Sequence, residues 1–409
     1  MRLKTALLST SIILFTSSAA FAVSFDEYVQ RLSEHPQVMS ILAASEATKL
    51  QAQGELGLPD PMLMIGVDNI PVSDMAFDRF LPTSKVIGFN QKIPNPYMLR
   101  AKSNRLEQLS EKQKLMADYT RSRLRFMLIT KMAEQTSIKT QINLIKKQLG
   151  FYQELEDTFT GQIESGRSVY QRFSEVDVER AEAERKLNNL EAKLISIKAE
   201  FVRLINEVPE IELPEIADAS WTMDLDALYP VLIAAQDINI AEKSVSVATA
   251  AFLPNFGINA IYKQREEGQN GSFSGDDWFS VQAQITVPLW ASKNQKPKLK
   301  AAQTKERSAQ FTYDDMSRSW VQKMTALKSS RDAAAKNIKV LQDKDHAMDH
   351  KIKATQRNYE AGTEELDRIL LAKIDRLNIK AQLAEVRASH ISRAAEFNSN
   401  IIDGFKETK

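Results

Sequence analysis

The 409-residue chain carries 54 Lys and Arg against 53 Asp and Glu, a formal net charge of +1, so no broad electrostatic pull draws it to nucleic acid. It has no cysteine, which removes disulfide frameworks, thiolate metal sites and a lipobox residue for acylation. It has four histidines and no Gly-rich phosphate loop, H-E-x-x-H or G-x-S-x-G pattern, so no nucleophile, base and orienting group come together. The expectation is a protein that is not an enzyme and takes no cofactor.

At the start of the chain, Arg2 and Lys4 precede an apolar run over residues 6–15 and small residues ending in Ala20-Phe21-Ala22. This pattern predicts a signal peptide over 1–22, cleaved to leave an exported, unlipidated chain beginning near Val23. The run is too short to span a bilayer, and no other segment approaches the ~20 apolar residues that a spanning helix needs. Any passage through a membrane must therefore use strands.

Proline then divides the chain. It is absent from residues 97–208 and 298–409, and all 13 prolines fall between 36 and 96 or between 209 and 297. Because an interior proline costs a helix ~3 kcal/mol, the two empty tracts permit very long helices. A helix of about 65 residues would extend roughly 100 Å. In the first tract Leu187, Leu190, Leu194, Ile197, Phe201 and Leu204 step alternately by three and four. In the second, Leu370, Ile374, Leu377, Ala381, Ala384, Ala388, Ile391 and Ala395 keep a seven-residue repeat. Both read as seams between helices packed along their lengths, with alanines allowing close approach; an ordinary antiparallel bundle would show the same spacing.

The order of features recurs at an offset near 195. His35-Pro36 and Tyr229-Pro230 each open a helical stretch, Gln91-Lys92-Ile93-Pro94 corresponds to Ile285-Thr286-Val287-Pro288, and Glu164-Ser165-Gly166 corresponds to Glu360-Ala361-Gly362. This predicts a duplicated unit of helix, two strands and a long helical hairpin, over 23–208 and 229–409, joined by a linker at 209–228. The strands show period-two patterning. Phe279, Val281, Ala283, Ile285 and Val287 alternate with polar residues; Phe256, Ile258, Ala260 and Tyr262 share one side of a partner. In the first half Leu63, Ile65 and Val67 oppose Met62, Met64 and Gly66, while Ile87, Phe89 and Ile93 line one side of the remaining strand. The connections 70–84 and 265–277 are long and polar, as suits a wet end.

Four strands of about nine residues could cross a bilayer when tilted, but a bacterial barrel needs at least about eight to close. An open edge in hydrocarbon leaves backbone groups unpaired, so a membrane-bound sheet would have to be shared by several chains. A soluble four-stranded sheet capping a helical bundle is the alternative.

The duplicated order, with Leu58-Pro59-Asp60-Pro61, Gly88-Phe89-Asn90-Gln91-Lys92-Ile93-Pro94, Phe252-Leu253-Pro254-Asn255-Phe256 and Tyr359-Glu360-Ala361-Gly362-Thr363, resembles the TolC-like outer-membrane efflux family over nearly the whole mature chain. The resemblance implies a mainly α fold with a small β part: long coiled-coil hairpins plus four strands given to a shared 12-stranded trimeric barrel. It implies a homotrimeric duct in the outer membrane, extending into the periplasm, embedded in lipid, and working with a periplasmic adaptor and an inner-membrane pump of the RND type. The glycine-centred turns would then be adaptor-contact tips, at Gly166, Arg167, Ser168, Gly362 and Thr363. Tyr359 matches a gating tyrosine of the family, and Glu364 lies beside it at the aperture. Six residues after each glycine, where relatives place a pore aspartate, this chain has Arg172 and Arg368, and Leu371 occupies another often acidic position. The departure raises a basic aperture in place of an acidic one.

For cargo, the region 59–72 resembles the heavy-metal subgroup, and Met62, Met64, Met75 and Met98 offer soft thioethers that also serve simply as packing. His346 and His350, four apart with Asp343, Asp345 and Asp349 nearby, form the other metal candidate, against which intervening lysines suggest a solvated face. Two rival functions stay open: a type I secretion exit duct, and a soluble periplasmic coiled-coil adaptor or scaffold.

Overall fold

The computed structural model describes residues 24–73, 75, 77, 82–267 and 274–405; the expected signal peptide lies outside them. In chain order the elements are α1 (Phe25–Ser33), α2 (Pro36–Gly54), β1 (Met62–Asp68), β2 (Ser84–Ile93), α3 (Pro96–Glu164), α4 (Tyr170–Ile205), α5 (Tyr229–Ala250), β3 (Asn255–Gln264), β4 (Trp278–Thr286), α6 (Gln295–Glu360) and α7 (Leu366–Ser399). The two proline-free tracts each yield one very long helix, of 69 and 66 residues, followed by a shorter one.

Prolines mark where helices begin. Pro36 and Pro96 sit in the first turns of α2 and α3, where a missing N–H costs nothing, and Pro230 does the same for α5. The Asn95 side chain accepts the Met98 N–H at 2.7 Å and so caps α3. Asn95, almost wholly buried, also donates its side-chain amide to the Ala250 carbonyl at 3.3 Å and its backbone N–H to Asn255 Oδ1 at 3.1 Å. The end of α5, the start of β3 and the entry to α3 are thereby tied at one point.

The sheet is antiparallel throughout, in the order β1-β2-β3-β4, so β1 and β4 are its edges. Three clusters of buried side chains run down the helices. One joins Leu124, Leu128 and Met132 of α3 to Ile197, Phe201 and Leu204 of the first seam. A second gathers Tyr152, Leu155 and Phe159 with Leu370 and Ile374 of the second seam. The third sets Trp320 and Met324 of α6 on Leu228, Val231 and Phe397. Between the repeated sets of elements, the segment before α5 is pinned to the end of α7. Asn398 donates to the Ala217 carbonyl at 2.8 Å, Arg331 donates to the Ala219 carbonyl at 3.1 Å, and Leu228 bridges Ile401. Among the described residues no helix is long and apolar enough to cross a membrane.

Candidate functional site

The register of the sheet decides what its two faces are. Leu63 lies opposite Phe89, and Ile65 opposite Ile87. Ile87 lies opposite Tyr262, Phe89 opposite Ala260, and Ile93 opposite Phe256. Phe256, Ile258, Ala260 and Tyr262 face Ile285, Ala283, Val281 and Phe279 in turn. Directly opposed residues share a face, so the alternating positions of all four strands merge into one mainly apolar surface, interrupted by Gln91 opposite Ile258 and by Lys85 opposite Gln264 at the hairpin end. That surface is bare: Leu63 is 73% exposed, Ile65 84%, Phe279 69% and Val281 62%. Val287 falls one residue beyond β4.

The other face is mixed, with polar rows among Met62, Met64, Val86, Ile261 and Trp278. Met62, Asn90, Asn259 and Gln282 form one cross-strand row, with Asn259 donating to Gln282 Oε1 at 3.3 Å. At the hairpin end the Lys263 ammonium pairs with Asp68 across the same face at 2.6 Å. Met64 also lies on this face and covers Gly88, where an added Cβ would come within 2.9 Å of its terminal methyl.

At the far end of the helices both hairpins close in the same way. Gly166 (φ +87°) and Gly362 (φ +74°) take the left-handed conformation. In the first turn the Arg167 N–H reaches the Gln162 carbonyl and the Gly166 N–H the Ile163 carbonyl, both at 2.9 Å; in the second, Thr363 and Gly362 reach Asn358 and Tyr359 in the same way. These are Schellman closures, which a residue with a Cβ would strain.

The two tips lie side by side around a groove of about 650 Å³ lined by Arg167, Arg172, Tyr359, Thr363, Glu364 and Arg368. Arg172 joins them: it bonds Glu365 at 3.0 Å, pairs with the fully buried Asp367 and stacks over Phe159 at 5.0 Å. Arg167 reaches the same Glu365 at 3.4 Å. Arg368 stays mostly exposed, with Glu364 at 3.8 Å. So the charge of Arg172 is spent between the hairpins, whereas that of Arg368 is presented at the surface, and Ser168 and Thr363 sit on the turns themselves. Leu371 lines an adjoining groove of about 890 Å³ with Tyr152, whose phenol is pushed up to about 12 by burial.

Sequence reasoning missed Glu365 and Asp367. Asp367 stands three residues before Leu370 and so occupies the next slot of the second seam; an acid in an apolar slot signals a buried partner.

Of the metal candidates, His346 and His350 are exposed on α6. Two of their three acidic neighbours are occupied: Arg376 of α7 bonds Asp345 at 2.9 Å and also pairs with Asp349. The hydrogen bond from Arg376 holds the Asp345 carboxyl below its ordinary value; Lys353 first, then Arg376, does so for Asp349. Among the described residues no three His, Cys, Asp or Glu side chains gather to hold a metal ion.

Residues 231–397 match the family model described as outer membrane efflux protein. No curated protein matches the chain in sequence. Among solved structures, the outer membrane protein VceC of Vibrio cholerae matches with a TM-score of 0.72 at 16% identity, covering 93% of this chain and 95% of that one. The CmeC outer membrane channel of Campylobacter jejuni matches at 0.74 and 10% identity, covering 100% and 95%. CusC, described as forming a transmembrane channel, matches at 0.74 and 11%, covering 91% of each chain. At such identities these structures show a shared fold. The chain therefore has the fold of these solved outer-membrane protein structures. The match to the outer membrane efflux protein model falls in the second half of the chain, over α5, β3, β4, α6 and α7.

Proposed function

We propose that three copies of this chain close a 12-stranded barrel in the outer membrane, and that their helices form a conduit running into the periplasm, where an adaptor and an inner-membrane pump of the RND type feed it. The single observation that carries this reading is the sheet: one face is mainly apolar, in register and bare, the opposite face is the more polar, and both edge strands are open. A soluble sheet would turn its apolar face to a core. Here it is turned outward, which is stable only against hydrocarbon, and in hydrocarbon the open edges of β1 and β4 must pair with other copies. Strands of seven to ten residues, tilted, suit an apolar band of about 25 Å.

The test is biochemical. The protein should be a detergent-requiring trimer whose gel mobility changes on heating, and it should conduct in planar bilayers. A water-soluble single chain would end the proposal and favour the adaptor or scaffold reading. Ile285→Asp, on the bare face near the helix end of β4, should lower trimer assembly by less than the ~2–4 kcal/mol that a basic residue costs at the bilayer midplane.

In the same reading the tips at Gly166, Arg167, Ser168, Gly362 and Thr363 meet the adaptor, and Tyr359, Glu364 and Arg368 border the aperture, with Arg172 bracing it. Arg368→Glu should shift single-channel ion preference toward cations; an unaltered preference would remove Arg368 from the aperture. Met62 and Met64 on the more polar face support passage of soft metal cations. Loss of copper tolerance in a deletion strain would agree, whereas lost drug tolerance or lost protein secretion alone would move the cargo to organic molecules or polypeptides.

A further inference from the structure

At the end of the sheet where the strands meet the helices, two corresponding segments carry charge of one sign only, with the acids Glu55 and Asp60 nearby before β1. Between Gly88 and Leu106 the chain has Lys92, Arg100, Lys102 and Arg105 and no acid. Between Val287 and Lys305 it has five lysines, at 293, 296, 298, 300 and 305, and again no acid. Elsewhere the signs are interspersed, with 53 acids in the whole chain. Of these cations Lys102 pairs with Glu55 at 3.2 Å. The other eight are exposed and form no ion pair among the described residues. Surface cations left unpaired in two corresponding segments are a surface of one sign, not a salt-bridged helix.

The same end exposes large apolar side chains. Leu289 and Trp290 are 78% and 77% exposed, on the run of turns joining β4 to α6, where Lys293 and Asn294 donate to the Trp290 carbonyl at 3.0 Å. In the first half Tyr97 is 68% exposed at the start of α3. Aromatic rings next to lysines at the boundary of an apolar band are the composition of a membrane–water interface. The dimensions agree: from Gln295 to Lys300 the helix rises about 8 Å, close to the depth of one headgroup layer, about 5–8 Å. Lys296 and Lys300 share one side of α6 and Lys298 lies opposite, so the lysines surround the helix end and do not mark a helix–helix seam.

We propose that this collar is a docking surface for anionic phospholipid in the leaflet facing the helices, with Trp290 and Leu289 seated at the acyl boundary and Lys293, Lys296, Lys298 and Lys300 holding phosphate headgroups. The proposal rests on the outer-membrane reading above. It assigns the collar a role separate from conduction, seating the barrel at a fixed depth and favouring anionic lipid around the inner rim.

The experiment uses the full trimer purified in non-ionic detergent and probed by native mass spectrometry with phosphatidylglycerol and phosphatidylcholine. The wild type should retain phosphatidylglycerol preferentially. Replacing Lys293, Lys296, Lys298 and Lys300 together by Gln should weaken that retention at least tenfold, since one surface lysine is worth about a fivefold change. The matching four-arginine variant should restore it, which separates charge from folding. Because the chain has no cysteine, Leu289→Cys gives a unique labelling site in a nanodisc-embedded trimer. A dye there should be quenched by a nitroxide placed shallowly in the lipid. Quenching by aqueous iodide alone, or by neither probe because a neighbouring copy covers the site, overturns the proposal, as does equal retention of both lipids. If no conducting trimer forms in any variant, the channel reading fails; if channels conduct normally without lipid preference, only the collar does.

Discussion

The two long helices are near-copies in length and in the way they end, yet they stand in opposite situations. α3 buries twenty residues and lies against α1, α2, α4, α5 and α7, whereas α6 buries five and lies against α5, α7 and the segment before α5. Phe311 and Val340 of α6 are 65% and 63% exposed, while Leu128 and Ile129 of α3 are fully enclosed. α6 is held on one side by α5 and α7 and leaves its remaining faces exposed, and in the trimer proposed above those faces would meet other copies. α3 carries much of the buried core, and α6 leaves most of its surface exposed.

This contrast can be broken at several points. The largest effect is expected from Ala384→Pro in α7, where the seam runs against α3 and α6. A mid-helix proline costs ~3 kcal/mol or more, and trimer should disappear from detergent extracts; normal trimer yield would show that the seam tolerates a kink. Next, Leu128→Ala in α3 should destabilise the chain by about 2–5 kcal/mol in denaturant unfolding, through the cavity it leaves. Its counterpart on the other long helix, Phe311→Ala, should leave helical content unchanged and lower only the temperature at which trimers dissociate. If Phe311→Ala instead lowers helical content as Leu128→Ala does, the division of labour between α3 and α6 is wrong.

The smallest effect concerns the clamp between α6 and α7. The Asp345 and Asp349 carboxyls are held below their ordinary value by Arg376 and Lys353. A carboxylate with a lowered folded pKa stabilises the fold above the unfolded value, about 3.9, and loses that contribution as pH falls through the folded one. Arg376→Gln should therefore melt a few degrees below the wild type at neutral pH, and the two curves should converge below about pH 3. A gap that persists in acid would mean that Arg376 acts by packing alone.

The glycine turns, the strand pairs and the long helices were legible because each rests on local chemistry. Gly166 and Gly362 end helices whose next residue must take a positive φ, Pro36 and Pro96 open helices, and alternation in residues 279–287 needs no partner to be recognised. The tip cluster was legible only in part. Arg172 and Arg368 stand at equal distances after their glycines, and nothing local distinguishes them. The structure does, because the second hairpin brings Glu365 and Asp367 to Arg172 and leaves Arg368 in solvent. The acids beside His346 and His350 were similarly ambiguous until α7 placed Arg376 between them.

What the sequence determined by itself was the set of elements and the great length of two helices, since proline placement, capping and periodicity act within a few residues. Tertiary structure alone decided the strand order, the registers that align Ile65, Ile87 and Tyr262 on one bare face, and the pairing of charges between hairpins. Those contacts join residues up to two hundred positions apart, and no local preference encodes which of two equivalent partners will arrive.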